Sequence, residues 1–320
     1  MRAKGIIGIM PLPCKSVRVG VVLLLAATLP GAVPADAGTP EPGAVPPVSW
    51  HRLELAARKL FWRARVTIDV RRVPASTVAG ELREIPRGAA ALGPADLVDL
   101  VQVRSKLPFG RSEEATVWLD PATGAVLQSE KLTGRRRPYW KLRRYGPRGY
   151  FQWREAPANA REKEKARASW SAKSRDWVAW SPPPPANATV TSSYALLYLL
   201  SASRLDRKGG RRQLLLSSHG RLVELRFESG KVSREDVGFD VVGPEGRRRH
   251  RNRILTRHVQ GSARWLGHES TDEAPDTGFL GMRGPLSVLV EVGTGIPVRI
   301  EGRSKGIGRL VVRLRSVALR

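Results

Sequence analysis

Residues 286–315 read LSVLVEVGTGIPVRIEGRSKGIGRLVVRLR. In each of three segments of this stretch apolar residues alternate with polar or charged residues, and glycine-containing turns separate the segments. A period of two places the two sets of side chains on opposite faces of a strand, and glycine accepts the backbone angles of tight turns. The stretch therefore predicts three antiparallel strands in a meander, with valines and leucines toward a core and arginines in water.

The same pattern recurs upstream. Residues 63–71 alternate in the same way, which predicts another half-buried strand. Hairpins are predicted at 116–131 around an Asp-Pro-Ala-Thr-Gly turn, at 139–154 around Gly-Pro-Arg-Gly, and at 222–236 around Ser229-Gly230. The chain has no long βαβ alternation, so we predict a mainly β fold: a large antiparallel sheet, curled or barrel-like so that its edges are protected.

Two segments depart from the β pattern. Residues 158–173 are rich in Ala, Glu, Lys and Arg, which is compatible with a short charged helix or with a mobile excursion. Residues 191–200 begin with hydroxyl side chains and continue into an apolar run, which predicts one short helix packed on the sheet. Four prolines at 182–185 predict an extended stretch. We therefore predict a single β-rich domain at 51–320, with a Pro-rich excursion near 155–190.

Residues 1–37 have the order of a secretory signal peptide. Basic residues precede the uncharged apolar run 19–29, and Ala35-Asp36-Ala37 has the small-x-small form of a cleavage site. A membrane-spanning helix needs about 20 apolar residues, and this run is much shorter, so cleavage is favoured over retention as a transmembrane anchor. We expect a periplasmic or secreted protein that begins with a flexible Pro/Gly-rich leader at 38–50.

Cys14 is the single cysteine of the chain, and it precedes the apolar run. A lipoprotein cysteine must directly follow that run, so we exclude acylation at this position. After cleavage the protein has no thiol, which excludes disulfides, thiolate nucleophiles and thiolate metal ligands. Its stability must then come from an ordinary hydrophobic core.

The chain carries a formal net charge of +26, and removal of residues 1–37 leaves +23. A cationic surface of this density attracts polyanions. Export excludes nucleic acid as the partner and leaves anionic lipid, lipopolysaccharide or acidic glycan. The alternative is a compositional bias toward arginine, in which case the charges are solvated and have no partner.

Arginine runs and tryptophans are the candidate ligand-binding residues. Guanidinium groups bind phosphate and carboxylate in a bidentate manner, although the runs fall where we place turns, and such runs are commonly solvated. Tryptophans can line a lipid or sugar cleft, or they can pack in a core. The candidates are Arg135, Arg136, Arg137, Arg247, Arg248, Arg249, Arg251, Arg253, Trp140 and Trp153.

Catalytic and metal-binding motifs with a recognisable spacing are missing from the sequence. The five histidines are dispersed, with no spacing typical of a metal site, and there is no Gly-x-Ser-x-Gly nucleophile motif. We therefore expect no metal and no cofactor. Glu113, Glu114, Asp236 and Asp240 are carboxylates of the type that glycoside hydrolysis uses, but the sequence does not pair them.

Three stretches resemble exported bacterial proteins of the DUF3108 type: SYALLYLL at 193–200, the strand from Gly210 to Val223, and IPVRIE at 296–301 with its closing strand. The resemblance covers residues 60–318, and the second arginine run and the Pro-rich excursion depart from it. The resemblance implies an exported β-rich fold, but it does not identify any functional residue of this chain.

Two functions are compatible with these features. The first is a non-enzymatic exported protein whose curled sheet binds an apolar or amphipathic envelope ligand and whose cationic rim contacts an anionic surface. The alternative is a periplasmic hydrolase of envelope polysaccharide that uses two unassigned carboxylates. We favour binding. Two carboxylates about 5 to 10 Å apart in a cleft would favour the hydrolase, and a deep apolar cavity without them would favour the binding protein.

Overall fold

The computed structural model describes residues 45–59, 62–86, 91–107, 111–134, 137–186, 188–218, 220–267, 274–304 and 308–320. The predicted signal peptide and the first part of the predicted leader lie outside these residues. Val45, Val48 and Trp50 are buried. The described end of the segment that we predicted to be a flexible leader, residues 45–50, thus contains buried side chains.

The regular structure of the described residues consists of strands, three short α-helices and 3₁₀ turns at Ala79–Glu81, Arg167–Ser169 and Ser193–Ala195. The strands are β1 (Trp50–Lys59), β2 (Trp62–Pro74), β3 (Leu97–Lys106), β4 (Ser112–Leu119), β5 (Val126–Thr133), β6 (Tyr139–Gly146), β7 (Gly149–Ala156), β8 (Ala172–Ala179), β9 (Val190–Thr191), β10 (Arg211–Ser218), β11 (Arg221–Gly243), β12 (Gly246–Trp265), β13 (Met282–Glu291), β14 (Pro297–Ser304) and β15 (Gly308–Leu319). The helices are α1 (Ala75–Val78), α2 (Ala160–Lys163) and α3 (Leu196–Ala202).

All fifteen strands belong to one sheet. Its order runs from β8 down to β1, then to β15, and from β15 down to β9. The pairing is antiparallel except between β9 and β10 and between residues 240–242 of β11 and 316–318 of β15. The prediction of a mainly β, barrel-like fold is confirmed, although these two parallel contacts make the sheet mixed rather than purely antiparallel.

The sheet curls until distant strands meet. The β11–β15 contact closes the last five strands into a ring, because β11 to β15 also pair consecutively. On the other side, the Trp180 side chain after β8 donates a hydrogen bond to Ser217 of β10 at 3.4 Å. Strands far apart in the sheet order therefore enclose an interior.

The predicted C-terminal meander is present as β13, β14 and β15, which pair antiparallel. Val312 is fully buried and Arg313 is exposed, so the predicted core and solvent faces are confirmed. The hairpins β4–β5 and β6–β7 also form where the turn residues predict them.

The predicted hairpin around Ser229-Gly230 is wrong. β11 continues through this pair to Gly243, with a bulge in its pairing with β12 between Ser229 and Val232. Glycine is favoured here, because a Cβ on Gly230 would lie only 3.2 Å from the carbonyl oxygen of His258. The turn follows Gly243 instead, so the arginine run 247–253 lies within β12 and not at a turn.

The predicted packed helix is confirmed as α3, all seven residues of which are buried. The Ser192 hydroxyl accepts a hydrogen bond from the Tyr194 amide ahead of the helix. In the predicted charged segment only the four residues of α2 are α-helical, with Asn159 as the N-cap. β8 follows, and sequence patterning missed this strand because nearly all of its residues are exposed on both faces.

A hydrogen bond from Tyr198 to a sheet ion pair connects α3 to the sheet. Asp99 on β3 is 1% exposed and accepts hydrogen bonds from Arg72 on β2 at 2.7 and 2.8 Å and from the Tyr198 hydroxyl at 2.5 Å. Burial and the Asp99 carboxylate raise the pKa of Tyr198, so its hydroxyl remains a donor. This contact fixes α3, and with it the preceding residues 192–194.

Candidate ligand-binding cavity

A cavity of about 700 Å³ lies against the inner face of β2 to β6. Each strand contributes alternate residues, as one face of a sheet must. These are residues 66 and 68 of β2, 103 and 105 of β3, 113 of β4, 129 and 131 of β5, and 139, 141, 143 and 145 of β6. The segment ahead of α3, the end of β10 and the segment before β13 complete the wall. The volume is in the range typical of small-molecule sites.

The described lining is divided by chemistry. One part is apolar and consists of Val66, Ile68, Val103, Leu107, Phe279 and Leu280. Another part carries the cations Arg111, Lys131, Lys141, Arg143 and Arg283 and the two carboxylates Glu113 and Asp276. Positive charge thus exceeds negative charge among the described lining residues, beside a wall that can hold hydrocarbon.

Three cations lie in one row across β5, β6 and β7. Lys131 is directly opposite Lys141, and Lys141 is directly opposite Arg154. Like charges directly opposite each other destabilise a sheet. The ring of Tyr139 offsets part of this cost, because the three cations lie 5.8, 5.5 and 5.6 Å from its centroid.

A fourth cation extends the row. Arg143 follows Lys141 on the same face of β6, stacks on Tyr150 at 4.5 Å and donates to Gln152 at 3.2 Å. We call Lys131, Lys141, Arg143 and Arg154 the cationic cluster. Its members lie on one face of the sheet, because each pairs across strands or alternates with another member. Lys131, Lys141 and Arg143 line the cavity, whereas Arg154 is exposed.

One carboxylate serves this cluster. Glu113 forms an ion pair with Lys131 at 2.6 Å and accepts a hydrogen bond from Tyr194 at 2.7 Å. Within the described chain no carboxylate forms an ion pair with Lys141, Arg143 or Arg154. The cluster therefore holds three positive charges that are not neutralised by described acidic side chains.

The uncompensated charge is visible in Lys141. Burial, followed by the charges of Arg143, Lys131 and Arg154, lowers the pKa of Lys141 to about 8. A negative group beside Lys141 would oppose the effect of the neighbouring cations on its pKa. The described side chains around Lys141 do not supply such a group as its ion-pair partner.

The Lys141 charge should make the stability of the ligand-free protein depend on pH. Its pKa is about 8 in the folded protein, against 10.5 ordinarily, so between these pH values the unfolded chain binds more protons and the contribution to stability rises with pH. The side chains around Lys141 are the same in the wild type and in the variant: Arg143, Lys131, Arg154, Glu113 and Tyr194. We expect urea unfolding of Lys141→Met and wild type to differ most below pH 8, with the variant more stable, and to converge toward pH 10.5. A difference that does not change with pH would contradict this.

The predicted arginine candidates of the second run lie on the surface of the β11–β12 hairpin. Arg247, Arg249, Arg251 and Arg253 alternate along one face of β12, and all are exposed. Arg249 pairs with Asp240 at 2.7 Å, Arg253 pairs with Asp236 at 3.6 Å, and Arg248 on the other face pairs with Glu245. Arg247 and Arg251 form no ion pair with a described carboxylate. We call these four alternating arginines the arginine stripe.

The first arginine run is only partly described. Arg135 and Arg136 lie outside the described residues. Arg137 is exposed ahead of β6, and its carbonyl oxygen accepts a hydrogen bond from Thr133 at 3.2 Å. The structure does not place Arg137 among the cavity-lining residues.

Trp140 and Trp153 pack in a core. Together with Leu142 and Trp170 they form a buried cluster, and Trp140 alternates with the cavity-lining residues of β6, so it points to the opposite face. Arg167 stacks on Trp140 at 4.4 Å. These tryptophans have the packing role that the sequence analysis weighed against ligand binding, and they are absent from the described cavity lining.

The four carboxylates considered for hydrolysis are dispersed. Glu113 lines the cavity, and Glu114, the next residue of β4, is exposed and points to the other face. Asp236 and Asp240 lie on β11, where they pair with residues of the arginine stripe. These residues do not form a carboxylate pair in the cavity.

Within the described ranges, none of the helices is both long enough and apolar enough to cross a membrane.

The chain is similar to a crystal structure described as a beta-barrel-like protein of domain of unknown function DUF1849 from Brucella abortus. The identity is 9%, the TM-score is 0.41, and the match covers 85% of this chain and 98% of the other. No protein-family model matches the chain, and no curated protein matches it. The resemblance to DUF3108-type proteins stays a prediction.

Proposed function

We propose that the protein binds an amphipathic anion in the cavity and acts without catalysis in the cell envelope. The observation that carries this proposal is the divided lining, with Ile68 and Phe279 among the apolar residues and Lys141 and Arg143 among the cations. The hydrocarbon part of a ligand gains from leaving water. Its acidic group gains charge-assisted hydrogen bonds from side chains that have no described carboxylate partner.

Binding is favoured over polysaccharide hydrolysis by the state of the two carboxylates in the lining. Glu113 is already engaged by Lys131 and Tyr194. Asp276 accepts a hydrogen bond from the backbone amide of Gly278 at 2.7 Å. Both carboxylates thus have structural partners, whereas Lys141 and Arg143 have no described carboxylate partner and can bind an anionic group.

The envelope supplies ligands of this class. Anionic lipids and lipopolysaccharide combine hydrocarbon with acidic groups, and the proposed signal peptide would deliver the protein to them. The arginine stripe is proposed to contact an anionic membrane surface through Arg247 and Arg251, whose guanidinium groups are exposed and not paired with a described carboxylate.

Calorimetric titration with ten-carbon amphiphiles tests the cavity. We expect wild-type protein to bind one decyl sulfonate per chain and to bind decyl maltoside, which is neutral, about 10-fold more weakly or worse, since one charge-assisted contact is worth about that factor. The double variant Lys141→Met, Arg143→Met should lose this preference for the anion. Lys173→Met, Arg175→Met is the matched control, because it removes the same Lys-x-Arg pair from the exposed strand β8. Equal binding of the two amphiphiles, or an unaffected double variant, would refute the proposal.

Vesicle binding tests the arginine stripe separately. We expect the wild type to bind vesicles that contain anionic phosphatidylglycerol and not neutral phosphatidylcholine vesicles, with binding lost as salt rises, because exposed charges are screened over about 8 Å at physiological ionic strength. Arg247→Gln, Arg251→Gln should weaken binding several-fold. Arg63→Gln, Arg65→Gln removes the same charge from exposed positions of β2 and should have little effect. Equal losses in both variants would mean that only net charge matters.

A further inference from the structure

The cationic cluster specifies the charge of the ligand, an inference that rests on the proposed function. Lys141 and Arg143 are two residues apart on β6, so their Cα atoms are about 7 Å apart. Arg154 is directly opposite Lys141 on β7. Glu113 neutralises Lys131 and leaves these three cations without an acidic partner among the described residues.

A singly charged ligand would leave most of this charge uncompensated. Partly buried charges without partners are costly, and Lys141 and Arg143 are of this kind, since both line the cavity. Arg154 is exposed and adds a like charge directly opposite Lys141. A dianion offsets more of that cost. The Lys141 pKa, lowered to about 8 by burial and neighbouring cations, is consistent with a site that lacks its counter-charge.

The donor geometry favours phosphate among dianions. A guanidinium presents a planar fork that binds two oxygens of one group, and an ammonium acts as a compact point charge. The three terminal oxygens of a phosphate monoester allow Arg143 to take two oxygens while Lys141 takes the third. A carboxylate or sulfonate of the same chain length supplies one negative charge only.

We propose that the cavity selects a phosphate monoester joined to a hydrocarbon chain, with the phosphate held by Lys141 and Arg143 and the chain against the apolar part of the lining. The ligand class is thus a single-chain or double-chain lipid phosphate. A free organic or inorganic phosphate offers the same acidic group without the chain, and the experiment must separate these two sources.

Calorimetry with decyl phosphate, decyl sulfonate and inorganic phosphate separates them. Near pH 7.5 a phosphate monoester is mostly dianionic, since its second pKa is about 6. We expect decyl phosphate to bind wild-type protein at least about 10-fold more tightly than decyl sulfonate, the factor that one additional charge-assisted contact supplies, and inorganic phosphate to bind more weakly than decyl phosphate. In Lys141→Met the phosphate and sulfonate affinities should converge.

The outcomes are distinguishable. Equal affinities for decyl phosphate and decyl sulfonate would overturn this inference and leave the proposed function standing. Equal affinities for inorganic phosphate and decyl phosphate would show that the hydrocarbon chain adds nothing to binding. This result would overturn both the lipid phosphate as the ligand and the proposed function. Binding of none of the three would overturn both.

The pH profile of decyl phosphate affinity provides a check that does not depend on a loss of folding. Affinity should fall below about pH 6 as the ligand gains a proton, and it should fall above pH 8 as Lys141 loses one. Among the described residues, Arg143, Lys131 and Arg154 are the cations that act on Lys141, and Glu113 is the partner of Lys131. Arg111, Asp276 and Arg283 are the other charged residues of the described lining. The variant Lys141→Arg keeps its positive charge at high pH. Its affinity for decyl phosphate should therefore no longer fall above pH 8, while the fall below about pH 6 should remain. An unchanged loss of affinity above pH 8 in this variant would contradict the role of Lys141 in binding the phosphate.

Discussion

Replacing Asp99 with alanine is expected to lower the free energy of unfolding by about 3 to 5 kcal/mol, the range found when one partner of a buried ion pair is removed. The Asp99 carboxylate is 1% exposed and accepts hydrogen bonds from Arg72 and from Tyr198. Removing it leaves a guanidinium and a hydroxyl without their partner inside the protein. Urea denaturation measures the loss.

Two controls show whether the ion pair is the cause. Tyr198→Phe removes one hydrogen bond and should cost about 1 kcal/mol, because Arg72 and Asp99 keep each other. The double variant Arg72→Met, Asp99→Leu should recover much of the stability that Asp99→Ala loses, because no charge remains buried. If Asp99→Ala cost no more than Tyr198→Phe, the ion pair between Arg72 and Asp99 would contribute nothing measurable to stability.

Val312→Asp is the second substitution with a large expected effect. Val312 is fully buried on β15, where it pairs with Ala57 of β1 and Ile300 of β14. An aspartate there must lose water or take up a proton, so we expect a loss of about 4 kcal/mol or more. Guanidinium denaturation will show it as an earlier midpoint, or the variant will fail to fold.

The adjacent position provides the control. Arg313 is exposed, and its side chain points to the opposite face of β15. Arg313→Asp reverses a charge without burying it, so it should change stability by about 0.5 kcal/mol or less. Similar midpoints for the two variants would contradict the assigned faces of β15.

The C-terminal meander was predictable because the residues that determine its strands and turns are close together in the sequence. Each strand of residues 286–315 carries its own alternation, and each turn carries its own glycines, so no distant residue is needed to assign them. The helix α3 was predictable for a similar reason, since a hydroxyl cap precedes a continuous apolar run. Both features depend on residues that are neighbours in sequence.

The β11–β12 arm was not predictable in this way. Ser229-Gly230 has the composition of a two-residue turn, but whether such a pair turns the chain or forms a bulge depends on the strand that lies beside it. β11 also pairs in parallel with residues 316–318, about 75 positions away in the chain. Patterns within a short window contain no information on such contacts.

The residues that line the cavity were not identified from the sequence, because alternation alone does not distinguish a strand face that lines a cavity from one that lies in open solvent. Tyr139, Lys141 and Arg143 alternate with Trp140 and Leu142, and this pattern is typical of a strand with one wet side. The tryptophan side is covered by Trp170, while the other side lines the cavity. Tyrosines interleaved with cations were the available signal, since a plainly solvated face has little need of aromatic rings.

The acidic partner of the cluster could not be assigned from the sequence either. Tyr194 reaches Glu113 across 81 positions of the chain. Glu113 was one of several carboxylates considered for hydrolysis, and only the fold distinguishes it from Glu114 beside it. Its role in the structure is to neutralise Lys131.

A crystal structure of the protein grown with decyl phosphate tests the proposed site most directly. We expect one ligand in the cavity, with its phosphate within hydrogen-bond distance of Lys141 and Arg143 and its chain against Ile68 and Phe279. A phosphate found only at the arginine stripe, with the cavity free of ligand at saturating concentration, would contradict it.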